Sequence, residues 1–367
     1  MATSVSELTL SDPRLPEIWR RLQGRTRSVS PFLTWTWFRA LAAVPEVSAD
    51  VRVLLAESGG DVLGVLPVER RRSSDGLHVL GPAGGHWLAP DHVDVLAAAE
   101  HREQVAAAVT RHLATAAWDL LDFEGLAADG ALRAALDGLR RPTFVRLPGQ
   151  TVLAPYVRLE SREPGVLLPS RNLRQQVARG LRACEQTGGG LRMATSPAEV
   201  RRLLPVLMQL HNERFGSESQ VFASPARRRF HLEAAALLAE RGMARVYWLE
   251  TEGREAALLY AFRSDERLYY YSMGLRPDVG RSPGLTLLGQ TLLAAAQEGL
   301  REFDLLRGDH AFKLRFASGS RADRRVRLLR ATPRSARWAL GRLPGRSRHL
   351  RAVADVPSRR RASPVSR

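Results

Sequence analysis

Three strand-length runs follow one another closely in the second half of this chain: Ala244 to Glu250, Ala256 to Arg263 and Arg267 to Leu275. The connections Thr251-Glu252-Gly253 and Ser264-Asp265 carry turn chemistry and are too short for anything but hairpins. The pattern predicts an antiparallel meander. A helical segment from Gly284 to Gly299 comes next, then a strand from Glu302 to Leu306 and a last one from Val326 to Ala331. Helix, meander, helix and strand describe a mixed α/β sheet with one crossover.

Upstream, helices are predicted over Arg171 to Thr187, stopped by Gly188-Gly189-Gly190, over Pro197 to Phe215, and over Pro225 to Arg241. Pro205 is expected to kink or split the second of these. Leu191 to Thr195 reads as a strand. The first half repeats this order. Helices are expected at Pro16 to Leu22 and Pro31 to Ala43. A hairpin follows, Val51 to Glu57 with Val62 to Val68, then a strand at Leu77 to Leu80. A helix at Arg102 to Ala117, a strand at Trp118 to Phe123 and a helix at Ala127 to Leu139 complete it. The run Gly81-Pro82-Ala83-Gly84-Gly85 lacks the Gly-Lys-Ser/Thr ending of a phosphate loop. At 367 residues two domains are expected: 1–150, without a donor site, and 151–331, with one. Residues 332–367 form a basic tail rich in Arg, Pro and Ser.

No run of about 18 apolar residues occurs, so no membrane span is expected. Met1 to Asp12 carries acids and no secretion pattern, and Cys184 is the one cysteine, which fits a reducing cytoplasm and excludes an internal disulfide. The net charge is +17, but residues 331–367 hold ten arginines against Asp355, leaving +8 for the other 330 residues. Much of the excess therefore sits in the tail, and no specific nucleic-acid partner is expected. Ala336 to Leu350 can form a basic amphipathic helix around Trp338, Leu340 and Leu343, which would make weak contact with a membrane surface.

Of the 55 lysine and arginine residues, one is lysine: Lys313. An ammonium is compact and can lose its proton; a guanidinium is a planar fork that cannot. Lys313 ends the dense run Phe303-Asp304-Leu305-Leu306-Arg307-Gly308-Asp309-His310-Ala311-Phe312-Lys313. Either its ammonium meets an oxyanion or a substrate phosphate, or it forms a surface ion pair with Asp304 or Asp309. Between the meander and the next helix lies Arg281-Ser282-Pro283-Gly284-Leu285-Thr286. A helix N-terminus with free amides, a glycine and an arginine reads as a pyrophosphate cradle, or as an ordinary first turn with Pro283 near its start. His211 and Glu213 are two apart on one helix and do not share a face, which argues against a joint metal site.

Meander, Arg-x-x-Gly-x-Thr, helix and strand resemble the GCN5-related acetyltransferase (GNAT) superfamily, whose pattern at this point is Arg/Gln-x-x-Gly-x-Gly/Ala. Thr286 departs from it. The stretch Ser282 to Phe316, with Ala295, Gly299 and the Phe312-Lys313 pair, resembles the BcsL/CelD-like acetyltransferases of cellulose and other exopolysaccharide synthesis. These are related to the double-domain FemAB-type aminoacyltransferases. Ser170 to Gln176, Leu210 to Phe215 and Ser30 to Trp35 resemble that group too.

The resemblance implies two tandem acetyltransferase-like halves, the second carrying the donor site for acetyl-CoA or another acyl-CoA, with no metal. Arg281, Gly284, Leu285 and Thr286 would hold the pyrophosphate; Ser272 and Met273 would lie along the pantetheine arm. Asp309, with Asp304 and His310, is the candidate for the base, and Lys313 for oxyanion stabilisation. Asp309 could instead simply cap the turn after Gly308. Tyr271, Arg307, His211 and Phe312 would face the acceptor, with Tyr270 in the core. His211 could equally be a core residue. The implied enzyme is a cytoplasmic N-acetyltransferase, peripheral at the inner membrane face. It would acylate an amine or hydroxyl of a free or carrier-linked sugar or amino sugar in cell-surface polysaccharide synthesis. An aminoacyltransferase using aminoacyl-tRNA and a non-catalytic carrier-binding module are the alternatives.

Overall fold

The computed structural model describes residues 2–26, 29–279 and 282–342. The first half runs β1 (Ser4–Thr9), α1 (Leu15–Gly24), α2 (Trp35–Ala42), α3 (Pro45–Ser48), β2 (Val51–Ser58), β3 (Asp61–Arg72), β4 (His78–Pro82), α4 (Gly85–Leu88), β5 (Leu96–Ala97), α5 (Arg102–Thr115), β6 (Leu120–Leu126), α6 (Ala131–Gly138) and β7 (Phe144–Leu147). The second half runs β8 (Thr151–Arg158), α7 (Pro164–Leu167), α8 (Arg171–Glu185), β9 (Gly190–Ala194), α9 (Pro197–Phe215), α10 (Pro225–Ala239), β10 (Ala244–Thr251), β11 (Arg254–Arg263) and β12 (Arg267–Leu275). After it come α11 (Pro283–Gln297), β13 (Glu302–Asp304), α12 (Ala311–Leu314), β14 (Gly319–Arg330) and α13 (Pro333–Leu340).

All the strands join one sheet, with the main order β1-β2-β3-β4-β6-β14-β8-β13-β12-β11-β10-β9. The order is close to symmetric about its centre. On each side three antiparallel strands lead through a helix to a fourth strand that lies parallel to the third: β4 with β6 through α5, and β12 with β13 through α11. The two halves thus repeat one topology, as expected. The centre is exchanged. β14, the last strand, pairs with β6 of the first half over Arg324–Leu329 and with β8 over Gly319–Arg324, while β8 pairs with β13. Sequence-adjacent segments therefore lie apart, and the last strand of the described residues closes the seam.

Apolar stripes explain the layers. α9 and α10 bury Leu203, Leu204, Leu207 and Phe230 on one face of β10–β12, where Trp19, Phe32 and Trp37 of the first half join them. α8 and α11 bury Leu173, Val177, Leu287 and Leu292 on the opposite face. α5 and α6 close a third core with Val105, Val109, Leu132 and Leu136 over β3, β4 and β6.

Several expectations are corrected. Pro31 to Ala43 is not one helix: a 3-10 turn at Pro31–Leu33 gives way to α2 at Thr34, whose side chain accepts the Trp37 amide. α9 runs unbroken through Pro205. The missing hydrogen bond is one among many, and buried leucines flank it. The basic helix begins earlier than expected, where Pro333 and the Thr332 capping box start it, and ends at Leu340. Its Trp338 donates to Asp75 of the first half, 3.2 Å away, rather than projecting as a free apolar face. Leu343 and the rest of that expected helix lie outside the described residues.

Candidate active site

The site forms where β12 and β13 part. The two strands pair only over Arg267–Tyr269 and Glu302–Asp304. Beyond Asp304 the chain turns to β8: the Leu305 amide donates to Pro155 (2.9 Å) and the Gly308 amide to Leu153 (2.9 Å). β12 continues straight, so its edge from Tyr270 onward has lost that partner. On its other side β12 carries a bulge against β11. Tyr270 faces Ala261 and Ser272 faces Tyr260, leaving Tyr271 as the extra residue. A strand edge next to a bulge offers unpaired backbone groups to an extended ligand.

Lys313 closes this opening from below. It is 5% exposed, and its Nζ donates to the Arg307 carbonyl (2.8 Å) and faces the Leu306 carbonyl (3.4 Å). The Tyr270 ring centroid lies 5.5 Å away. The expected ion pair with Asp304 or Asp309 is not formed; backbone carbonyls take its place. Two converging carbonyls suit a compact ammonium with rotatable donors better than a planar fork. Burial pushes the amine down to about 8, against the upward pull of Asp91 and Asp304. Leu306 has φ 55° and Gly308 φ 114°. The carbonyls are thus aimed by backbone conformations that glycine tolerates and leucine adopts only under constraint.

Phe312 stands at the mouth, 38% exposed, its ring 6.0 Å from Tyr270 and stacked on His310 at 6.0 Å. Asp309 and His310 are both exposed on the turn. Burial, then Lys313, lowers the His310 pKa. Tyr270, expected in the core, belongs to this cluster through its contacts with Lys313 and Phe312. Tyr271 projects from the other face of β12 and is half-buried among Phe32, Trp37 and Phe262. His211 lies against the β12 edge, with Nδ1 3.1 Å from Ser272 Oγ and 3.2 Å from the Met273 carbonyl. Burial lowers its pKa, so its ring is neutral at pH 7. Ser272 and Met273 therefore meet His211 at one point.

Two candidates turn away from the opening. Asp304 is fully buried: it accepts the Leu306 amide (2.8 Å) and pairs with His92 (3.0 Å) and Arg321 (3.3 Å). Burial alone would raise its carboxyl; His92, the amide and Arg321 outweigh that and hold it below the usual carboxylate range. Arg307 spends its fork on the first half. Nε pairs with Asp91, Nη1 with Glu124 (3.1 Å), and Nη2 with the Ala89 carbonyl (3.1 Å). Both residues hold the halves together and aim no group at the opening. His92 completes the seam between Asp304 and Asp323, each 3.0 Å away. Burial pushes His92 down, but the two carboxylates raise it well above its ordinary value. A cavity of about 310 Å³ borders this network, lined by Ser30, Asp94, Arg102, Arg267 and Tyr269.

The α11 N-terminus packs beside the open edge. Gly284 is held against β12: a Cβ there would lie 2.9 Å from Leu275 Cδ2 and 3.1 Å from Met273 Sδ. Thr286 is buried under α8, where a Cβ on Gly180 would fall 2.0 Å from its Oγ1. Thr286 thus serves the crossing of α8 over α11, together with Val177 against Gly289, and its side chain faces away from the loop. Leu285 is partly buried against the same core. Arg281 lies outside the described residues. A cavity of about 800 Å³ opens next to this turn, between Gln176 and Arg179 of α8 and Thr251, Arg254 and Ser282. The parted strands and the bare helix start fit an acyl-CoA.

His92 and Tyr270 were missed as site residues. The Asp91-His92-Val93-Asp94 run hints at a charged seam, but Tyr270 carries no sequence signal beyond its strand.

Residues 171–314 match the acetyltransferase (GNAT) domain family. No curated protein sequence matches the chain. Among solved structures, FemX is similar with a TM-score of 0.57 and 11% identity, covering 88% of this chain and 96% of that one. L-PGS from Bacillus licheniformis is similar with a TM-score of 0.54 and 12% identity, covering 85% and 91%. Residues 171–314 therefore carry a GNAT acetyltransferase domain, and the protein is an acyltransferase.

Proposed function

We propose that the protein moves an acyl group from an acyl-CoA, acetyl-CoA in the first instance, to an amine or hydroxyl. The observation that carries this reading is the parting of β12 from β13 beside the Tyr271 bulge, with Lys313 beneath it. An acyl-CoA supplies a thioester, whose C–S bond breaks as a C–N or C–O bond forms. The unpaired β12 edge binds the extended arm, and the α11 N-terminus faces the pyrophosphate. Lys313, protonated at neutral pH, places positive charge where the carbonyl oxygen gains negative charge. His310, neutral at that pH, and Asp309 stand on the turn that can take the nucleophile's proton.

The acceptor we propose is a sugar or amino sugar of cell-surface polysaccharide synthesis, supported by the resemblance of residues 282–316. The enzyme would work in the cytoplasm, at the membrane face through its basic C-terminal segment. Among the described residues no helix is long and apolar enough to cross a membrane. A second reading, aminoacyl transfer from aminoacyl-tRNA, draws support from the FemX-like fold. Calorimetry with acetyl-CoA on the wild type and on Gly284→Trp separates the two. We expect binding by the wild type and loss in the variant, whose indole must displace Met273 and Leu275. A wild type that ignores acetyl-CoA but accepts a charged tRNA would replace the first reading with the second.

A further inference from the structure

We propose that His231 is a positioning residue, which holds the Tyr271 hydroxyl so that its oxygen accepts a hydrogen bond from the acceptor's nucleophile. The proposal rests on the acyl-transfer reading and adds to it a residue buried behind the site. His231 lies on α10 and is fully buried. Rings of Phe230, Phe222, Tyr271, Tyr260 and Trp37 surround it at centroid distances of 5.0 to 6.3 Å. Among the described residues Nδ1 has no hydrogen-bond partner, and Nε2 lies 3.2 Å from the Tyr271 hydroxyl, the one polar group among them that anchors the ring.

The direction of the hydrogen bond follows from what each group can do. Burial, then Arg227, pushes the imidazole down to about 3, so one ring nitrogen is bare at neutral pH. The Tyr271 proton has two acceptors within reach: Nε2 at 3.2 Å and the Leu88 carbonyl at 3.5 Å, which is too long to compete. Burial raises the Tyr271 pKa, so the phenol keeps its proton and donates it to Nε2. The ring proton then sits on Nδ1, in a shell where Phe222 and Phe230 meet the imidazole nearly perpendicular, at 80° and 75°. With its proton given to Nε2, the Tyr271 oxygen keeps lone pairs that can accept a hydrogen bond.

Position makes this useful. Tyr271 lies on β12 beyond Tyr269, where β13 no longer pairs, so its backbone stands at the opening that would hold the thioester. Its hydroxyl reaches toward Leu88 of the first half, close enough to Asp91 and Arg307 to feel their charges. A nucleophile that donates N–H or O–H to this oxygen has its own lone pair left to face the acyl carbon. A buried imidazole with an unpaired nitrogen is otherwise unfavourable, and phenylalanine would fill the same space without that penalty.

Nitrogen-15 NMR of the full chain tests the hydrogen bond directly. We expect one histidine to remain a neutral Nδ1–H tautomer from pH 8 to pH 5. Its Nε2 resonance should move in Tyr271→Phe while that of His211 stays. An Nε2–H tautomer, or protonation within that range, overturns the proposal. Kinetics with acetyl-CoA as donor and hydroxylamine as acceptor test the role. Tyr271→Phe and His231→Gln should each raise the KM for hydroxylamine about tenfold, the double variant no further, with acetyl-CoA affinity unchanged. Additive losses overturn it. The NMR needs no acyl donor, so its failure is distinct from a failure to bind acetyl-CoA.

Discussion

Replacing Arg307 with methionine removes a buried polar tie between the halves while keeping most of the side-chain volume. The guanidinium serves Asp91, Glu124 and the carbonyls of Ala89 and Pro90. Their exposures decide the magnitude. Asp91 has a side chain 10% exposed and loses its ion-pair partner, which costs about 3–5 kcal/mol. Glu124 is 42% exposed and keeps Arg325 at 3.7 Å, so its share is about 0–1 kcal/mol. An unfolding entropy of about 2.1 cal/mol/K per residue makes 1 kcal/mol worth roughly 1.3 °C in a chain of this length. The melting temperature should therefore fall by about 4–8 °C, read by calorimetry. On an Asp91→Asn background, where no buried charge is left behind, Arg307→Met should cost only about 1 kcal/mol more. A full loss on that background would show that the Ala89 and Pro90 carbonyls dominate, and would refute the charge argument.

Lys313 should make activity fall as pH rises through about 8, because the ammonium is the form that stabilises negative charge; Lys313→Arg, with acyl transfer assayed, should lose about tenfold or more because a planar fork does not reproduce the ammonium's approach to two converging carbonyls. Its effect on stability has the opposite sense. The folded-state pKa is depressed below the ordinary lysine value of 10.5, so between about pH 8 and 10.5 the unfolded chain binds more protons and the penalty the buried lysine imposes on folding shrinks as pH rises. Denaturant titrations of wild type and Lys313→Met across that range would expose the wrong sign. Gly180→Ala should destabilise by about 1–3 kcal/mol in urea, since its Cβ meets Thr286 Oγ1 at 2.0 Å, and Thr286→Ala should recover part of the loss.

Much of the second half was legible in the sequence. The meander, α11 and β13 fall within a few residues of their predicted places, because alternating apolar residues and short turn signals are local facts. The exchange of β8 and β14 was not legible: strand pairing across the seam depends on residues far apart in the chain. β1 and β8 passed unnoticed for the same reason, since their strand character comes from the edges they join. At the site, the dense run ending in Lys313 stood out by composition. Which of its polar groups face the opening did not, because Asp304 and Arg307 are turned aside by His92 and Asp91, residues of the first half.

By itself the sequence determined most of the helices and strands, the repeated order of the two halves and the one position where an amine replaces a guanidinium. Each rests on local periodicity or residue type. Only the tertiary structure decided what that amine meets. Its neighbours are two carbonyls aimed by Leu306 and Gly308 and one ring from a strand forty residues upstream, brought together because β13 leaves β12 to follow β8. The same parting of strands opened the edge at Tyr271, and the packing of α10 behind it placed His231 there. Those placements follow from burying apolar faces from distant segments against one another, a condition that no local stretch of sequence can express.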